Sequence, residues 1–299
     1  MTIQPSPPIT RTESPADCYT LAPGLQAERG PQGDRAYVTL VTNADYLPGA
    51  QALVRSLRLT GTGAGADIAV MHRGIPHDAL DGLRRLGARL IAADLLPTST
   101  EFDRTHARDA LHSRAAFTRG GKPDFHTPLD NFVKLRLWQL DYARTVFIDA
   151  DALVVRNIDK LFGFPEFCAA PNVYEGLDGF HRMNSGVFTA RPNAATFDAM
   201  MAQLDRPGVF WRRTDQTFLQ DFFPDWHGLP IQYNMLQYVW INMPALWDWE
   251  SVHVIHYQYE KPWSDHAKAA ALRPLIQIWR DIAAGGPLPD LSAQIRPAA

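Results

Sequence analysis

Cysteine is nearly absent. Cys18 and Cys168 are the only two in 299 residues, and they sit in unrelated surroundings. Such a pair implies neither a disulfide framework nor a Cys-rich metal site, and a reducing, cytoplasmic compartment suits it. No block of Lys and Arg occurs, and 29 basic against 32 acidic residues leave a formal charge of −3. Nucleic acid is thereby set aside as a main partner, because binding a phosphate backbone normally shows as a basic stripe. No uninterrupted apolar run is long enough to span a bilayer, and the opening MTIQPSPPITRTESPADCYT lacks the basic-then-apolar order of a signal peptide. A soluble protein without a transmembrane segment is expected. There is no internal repeat. Nor does the first strand-like run lead into the Gly-rich basic loop with which nucleotidyltransferases cradle phosphates, since TNADYLPG is not one.

What the chain does hold is material for a core. With 46% hydrophobic and 11% aromatic residues it has the composition of a folded globular protein, long enough for one large domain or two small ones. Residues 1–34 are rich in Pro, Ser, Gly and Thr without apolar periodicity, which predicts a tail outside the core, loosely ordered or laid over the surface. From Ala36, AYVTLVT reads as a buried strand, YLPGAQALVRSLRLTG as a helix with a Gly stop, ADIAVMH as a strand, PHDALDGLRRLG as a helix and ARLIAA as a strand. This alternation implies an α/β fold, with a mostly parallel central sheet and helices on both faces. Residues 97–127 interrupt it with polar sequence, several His and Arg and the turn signal RGGKP, an insertion that reads either as a lid or as a surface excursion. LDNFVKLRLWQLDYA then predicts a helix and TVFI a strand. Near the end, LRPLIQIWRDIAA is amphipathic and expected to pack on the domain, whereas GGPLPDLSAQIRPAA is expected to be flexible.

The most strand-like run, RTVFIDADALVVRNIDKLF, carries Asp149 and Asp151. In an open α/β sheet ligands bind outside the carboxyl ends of strands, and residues two apart in an extended segment point to the same side. Two carboxylates there repel unless they share a cation, and carboxylate oxygens select hard divalent ions such as Mg²⁺ or Mn²⁺. The plainer reading leaves Asp149 capping a turn and Asp151 in solvent. Other segments are equally two-sided. Asn184, Ser185 and the next Gly read as a turn, Asp215 and Gln216 as the start of a helix capped by Thr214, and His256 as a core histidine. Trp240, Trp247, Trp249, Tyr257 and Tyr259 suit either a sugar-stacking platform or core packing.

Taken in order, these segments resemble the glycogenin and galactinol synthase group of family 8 glycosyltransferases, retaining enzymes of the GT-A fold that use nucleotide sugars. The similarity runs from about Ala36 to Trp263. It implies a Rossmann-like GT-A catalytic domain over 35–264, with 97–127 as an insertion or lid and 265–299 as a helical extension and tail. In YVTLVTNADYLPGAQALVRSL it implies that Leu40, Thr42, Asn43 and Tyr46 hold the uridine. Lys134 in NFVKLRLWQL would approach the donor. Asp149 and Asp151 take metal-ligand roles with Ala150 against the donor, and Asn184 and Ser185 of MNSGVF bind the sugar. Asp215 and Gln216 of TDQTFLQDFF lie beside the reacting carbon, LPIQYNM matches the segment after it, and in VIHYQYEKPW His256 is the third metal ligand and Lys261 pairs with the diphosphate. The cofactor implied is Mn²⁺ or Mg²⁺. The donor implied is UDP-glucose or UDP-galactose, and the acceptor a hydroxyl compound, inositol being one candidate beside lipopolysaccharide, glycan and protein. A homodimer is compatible with the resemblance.

Chemistry supports the same roles. Two carboxylates and an imidazole leave metal positions open for the α- and β-phosphate oxygens, and Lys261 adds a point charge where negative charge grows. Retention needs an opposite-face nucleophile or same-face departure and attack. The resemblance favours the second, with Gln216 stabilising an oxocarbenium-like transition state and Asp215 binding sugar hydroxyls. A nucleotide-sugar binder without turnover is the alternative, and so complete a set of residues argues against it. Four departures stand out. Arg212 replaces a family Asp, HYQYEK is short and lacks Gly, and the basic residue expected several positions before Lys134 is absent, Phe125 and His126 lying in that region. The self-glucosylated Tyr of glycogenin aligns with Trp240, with Tyr238 nearby, so glycogen priming is not expected. Acceptor specificity is expected in 97–127.

Overall fold

In the structure, a computed structural model that describes residues 19–114 and 127–294, the main sheet begins with six strands. They are β1 (Tyr19–Thr20), β2 (Leu25–Ala27), β3 (Arg35–Val41), β4 (Asp67–His72), β5 (Arg89–Ala93) and β6 (Arg144–Ile148). After β7 (Ala152–Val154) come β8 (Cys168–Pro171), β9 (Met183–Ala190) and β10 (His227–Gly228), then β11 (Met235–Leu236) and β12 (Val254–His256). Among the described residues the main sheet is nine-stranded, in the order β1-β2-β5-β4-β3-β6-β9-β8-β10, and a three-stranded sheet has the order β11-β12-β7. The centre, β5-β4-β3-β6, is parallel, with Val38 opposite Ala69 on one side and Phe147 on the other. The flanks turn antiparallel, where β9 pairs β6 and β2 pairs β5.

Both faces of the central strands are covered, which is why their sequences read as continuous apolar runs rather than alternating ones. Tyr37, Val41, Val146 and Ile148 face a cluster built with Leu53, Val54 and Leu57 of helix Leu47–Leu59. Their neighbours Val38 and Phe147 face the opposite cluster with Trp138, Phe188 and Phe218. A third core joins the small sheet to helix Arg273–Ala283, whose Leu275, Ile276, Ile278, Trp279 and Ile282 are buried.

Several expectations change. Residues 19–34 are not a loose tail: Leu25 and Ala27 point into the core and pair with Ala93 and Ile91, while Arg136 donates to the Pro23 carbonyl at 2.9 Å. Strands so short carry no periodicity to read, and residues 1–18 lie outside the described residues. LDNFVKLRLWQLDYA forms one helical turn, Pro128–Asn131, and then a 3₁₀ stretch, Phe132–Gln139, whose tighter winding buries nearly every side chain. In GGPLPDLSAQIRPAA, expected to be flexible, Leu291 is buried and Asp290 caps the short turn Leu291–Ala293; residues 295–299 are outside the described residues. Of the 97–127 insertion, helices Thr100–His106 and Arg108–Arg114 are described, and Phe102 and His106 stack and pack on Phe132. Residues 115–126, with Phe125 and His126, are not among those described.

Candidate active site

The Asp149–Asp151 segment is a turn, not the extended strand end that the spacing suggests. Asp149 N–H donates to the Gly186 carbonyl at 2.8 Å, and Ala152 N–H closes back on the Asp149 carbonyl at 3.0 Å. This turn hands the chain from β6 of the main sheet to β7 of the small one. Helix Leu47–Leu59 packs hard beneath it. A Cβ on Gly49 would lie 2.4 Å from the Ala150 carbonyl oxygen and 2.6 Å from the Trp263 ring, so only glycine fits.

Asp149, Asp151 and His256 bring one ligand atom each to within 4.8 Å of one another. His256 Nε2 lies 3.2 Å from Asp151 Oδ1 and 3.9 Å from Asp149 Oδ2. Its Nδ1 faces Asn234 Oδ1 at 2.8 Å, which places the proton there and leaves Nε2 with a lone pair for a metal. Asn234 in turn donates to Asn184 Oδ1, which also accepts from Gly186 N–H, and Asn184 donates to Asn172. Hence the Asn-Ser-Gly tripeptide lies within β9 and orients the histidine, and the turn reading is set aside. A Cβ on Gly186 would meet His256 Cε1 at 2.4 Å and Nδ1 at 2.5 Å. A donor set of two carboxylates and one imidazole nitrogen fits a hard divalent cation.

Two buried lysines balance the acids. Lys134 Nζ lies 3.1 Å from Asp149 and 2.8 Å from Asp215, and donates to the Ser185 carbonyl at 3.3 Å. Burial pulls its ammonium down, but the carboxylates of Asp149 and Asp215 outweigh it and hold the group up. Lys261 is ion-paired with Asp151 and donates to the Tyr257 carbonyl at 3.0 Å. Burial pushes the Asp151 carboxyl up, yet Lys261 and His256 together hold it well below the usual range. For Asp149, burial wins: it raises the carboxyl against the pull of Lys134, and the Asp151 charge adds to the rise.

Asp215 is held from three sides, with Ser185 Oγ and Lys134 on Oδ2 and Thr214 Oγ1 on Oδ1 at 3.0 Å. Thr214 occupies the cap position of helix Asp215–Phe222 but does not cap it: its hydroxyl turns to Asp215 and its φ is 48°. A β-branched residue there costs about 1–3 kcal/mol, the kind of strain that collects at functional sites. Gln216 Oε1 accepts from Ser185 N–H at 3.5 Å.

Around these groups lies a cleft of about 210 Å³. Leu40, Thr42, Asn43 and Tyr46 line one part, and Lys134, Asp149, Ala150, Asp151, Asn184, Ser185, Asp215, Gln216, His256 and Lys261 the rest, so every residue to which the resemblance gives a donor, metal or catalytic role faces it. Thr127, Asn131, Thr214, Arg213, Gln258 and Tyr259 line it as well. The two basic neighbours divide: Arg212, the departure visible in the sequence, is exposed, and it is Arg213 that enters the cleft. Trp240, Trp247, Trp249 and Tyr257 are core, the three indoles packing at 5.3–5.7 Å, so of the aromatic group Tyr259 alone reaches the cleft. Tyr259 also answers the missing glycine of HYQYEK, because it adopts the left-handed φ of 67° itself.

Residues 37–267 match the profile described as Glycosyl transferase family 8. The chain belongs to that family. Among its relatives, UDP-glucuronate:xylan alpha-glucuronosyltransferase 2 of Arabidopsis thaliana is 30% identical over 80% of this chain and 37% of its own length. Glycogenin-1 of Homo sapiens is 31% identical over 77% of this chain and 63% of its own, and glycogenin-1 of Caenorhabditis elegans 32% over 79% and 52%. The family 8 domain thus spans from about a third to under two thirds of these proteins. Among solved structures, the galactosyltransferase LgtC superposes with a TM-score of 0.58 at 14% identity, covering 85% of this chain and 98% of that one. GlyE of Streptococcus pneumoniae does so with 0.57 at 17%, over 87% and 62%. These likenesses show the GT-A fold. Among the described residues of this family 8 domain, no helix is long and apolar enough to cross a membrane.

Proposed function

We propose that this chain transfers a hexosyl group from a UDP-sugar to a hydroxyl acceptor with retention, using Mn²⁺ or Mg²⁺ held by Asp149, Asp151 and His256, in the cytoplasm. The observation that carries this reading is the convergence, in one cleft, of that triad with Lys134, Asp215, Ser185 and Gln216. A bound divalent ion would supply the charge that orients and neutralises the departing diphosphate. Leu40, Thr42, Asn43 and Tyr46 hold the uridine and Ala150 packs against the donor. Lys261 would pair with the phosphate oxygens of the donor as a point charge. Lys134 fixes Asp215, and Asp215, Asn184 and Ser185 bind sugar hydroxyls. Both Asp215 oxygens are engaged by Ser185, Lys134 and Thr214. A carboxylate so occupied is a poor nucleophile, which supports same-face attack, with the Gln216 amide oxygen beside the developing positive charge.

UDP-glucose and UDP-galactose enter as donors through the family resemblance, and UDP-glucuronate through the names of the plant relatives. A galactinol synthase-like transfer to inositol uses the same site. Glycogen priming is disfavoured, since Trp240, aligned with the self-glucosylated tyrosine, is buried and donates its indole N–H to the Ala271 carbonyl. The test is UDP release from a panel of UDP-sugars with Mn²⁺, with and without EDTA, in wild type and Asp151→Ala. Turnover stopped by EDTA and lost in the variant supports the reading. Turnover indifferent to both would remove the metal site, and neither turnover nor metal-dependent binding would remove the transferase.

A further inference from the structure

Arg213 is the one basic residue in the cleft, among those described, without an anionic partner. Lys134 is paired with Asp149 and Asp215, and Lys261 with Asp151. The Arg213 side chain has no carboxylate within ion-pair distance and no hydrogen bond among the described residues, although it is half-buried in the cleft wall. Its position is fixed: the backbone N–H donates to Thr217 Oγ1 at 3.3 Å, and the next residue is the strained Thr214. Asp215, two residues on, does not answer the charge, its oxygens being taken by Lys134, Ser185 and Thr214. Nor is Arg213 where the nucleotide's own charge is met, because the metal triad and Lys261 provide for the diphosphate, and uridine is neutral. The place left is the sugar end, beside Asp215 and Gln216. Gln258, which also lines the cleft, has a buried Oε1 without a hydrogen-bond partner among the described residues.

We propose that Arg213 reads a carboxylate on the transferred sugar, so that the donor is a UDP-hexuronate rather than a neutral UDP-hexose. This rests on the transferase reading above. A guanidinium presents paired N–H donors in a planar fork that a carboxylate matches bidentately, whereas a hydroxymethyl group offers one oxygen and no charge. On a hexose, C6 is the carbon that becomes a carboxylate without loss of a ring hydroxyl, so Asp215, Asn184 and Ser185 keep their partners when the charge is added.

The experiment compares UDP-glucuronate, UDP-galacturonate, UDP-glucose and UDP-galactose by UDP release with Mn²⁺ and no acceptor, in wild type, Arg213→Gln and Arg213→Lys. Wild type is expected to favour a hexuronate in kcat/KM by roughly 10- to 100-fold, the span of a hydrogen bond to a charged group. Arg213→Gln loses that preference, Arg213→Lys keeps part of it, and the affinity for UDP alone is unchanged in both. Calorimetric binding of the same nucleotides reads the preference even where turnover is slow. Preference for a neutral sugar, or a ratio that Arg213→Gln leaves unmoved, overturns the proposal. So does an equal loss for every donor and for UDP itself, which would make Arg213 a phosphate clamp. Discrimination that arises only when an acidic acceptor is added assigns the carboxylate to the acceptor and overturns the donor claim. Failure of the wild type with every UDP-sugar counts against the transferase reading instead, and is distinct from turnover of neutral sugars.

Discussion

Substituting Gly186 by alanine tests whether His256 is a ligand, because the methyl would press on the imidazole and, at 2.9 Å, on the Asn184 Oδ1 that helps to orient it. The added methyl would lie 2.4–2.5 Å from the imidazole, against ordinary contact beginning near 3.4 Å. Gly186 lies in β9, where its carbonyl accepts from Asp149 N–H and its own N–H donates to Asn184 Oδ1, so the backbone is held and relief falls on the ring, which must retreat by about 1 Å. Metal–ligand distances tolerate about 0.2 Å, so such a shift takes Nε2 out of the coordination sphere while Asp149 and Asp151 stay in place. Overpacking of this size costs about 1–3 kcal/mol, or a fall in Tm of roughly 2–10 °C for a domain this long. The loss in Mn²⁺ affinity should be at least 10- to 100-fold, as when a supporting contact of a ligating histidine is removed. Calorimetric titration with Mn²⁺ reads the affinity, and circular dichroism confirms that the fold is intact. A variant with lowered Tm and unchanged Mn²⁺ affinity would refute the assignment of His256, leaving it a packing residue.

Two further predictions concern charge. Lys134→Met leaves Asp149 and Asp215 facing each other without their shared cation, and urea denaturation should show a loss of about 3–5 kcal/mol, the range for breaking a buried pair; a loss under about 1 kcal/mol would mean the carboxylates are solvated instead. Burial pushes His72 down to about 4, against the weaker opposing pull of Glu28. Between that value and its ordinary one near 6.5 the unfolded chain binds the extra proton, so stability rises with pH across this window and falls as pH drops through it, by up to about 3 kcal/mol. Tm measured from pH 7 to pH 4 should therefore fall less steeply for His72→Gln than for wild type, and equal slopes would exclude His72 as the source.

How far the sequence could be read depends on what each residue is tied to. Lys134, Asp149, His256 and Lys261 stand in runs whose order along the chain carries the family resemblance, and all four face one cleft. Arg213 had no such marker: Arg212 and Arg213 are chemically identical neighbours, and nothing in the sequence says which of them turns inward. Asn234 lies in LPIQYNM, where nothing in the sequence says that its amide oxygen meets His256; that contact is made by the parallel pairing of β11 with β12. The indoles of Trp240, Trp247 and Trp249 were ambiguous because stacking on sugar and stacking on each other use the same composition. The third core decides it, through the small sheet and helix Arg273–Ala283.

The turn at Asp149–Asp151 has a mechanical side. Asp149 hangs from the end of β6 in the large sheet, while His256 ends β12 in the small one, and Asp151 sits at the junction between them. An ion gripped by all three is therefore a rivet through two plates. Its release would loosen the seam between them before either plate comes apart, so that the temperature at which the small sheet peels away becomes a gauge of cation occupancy.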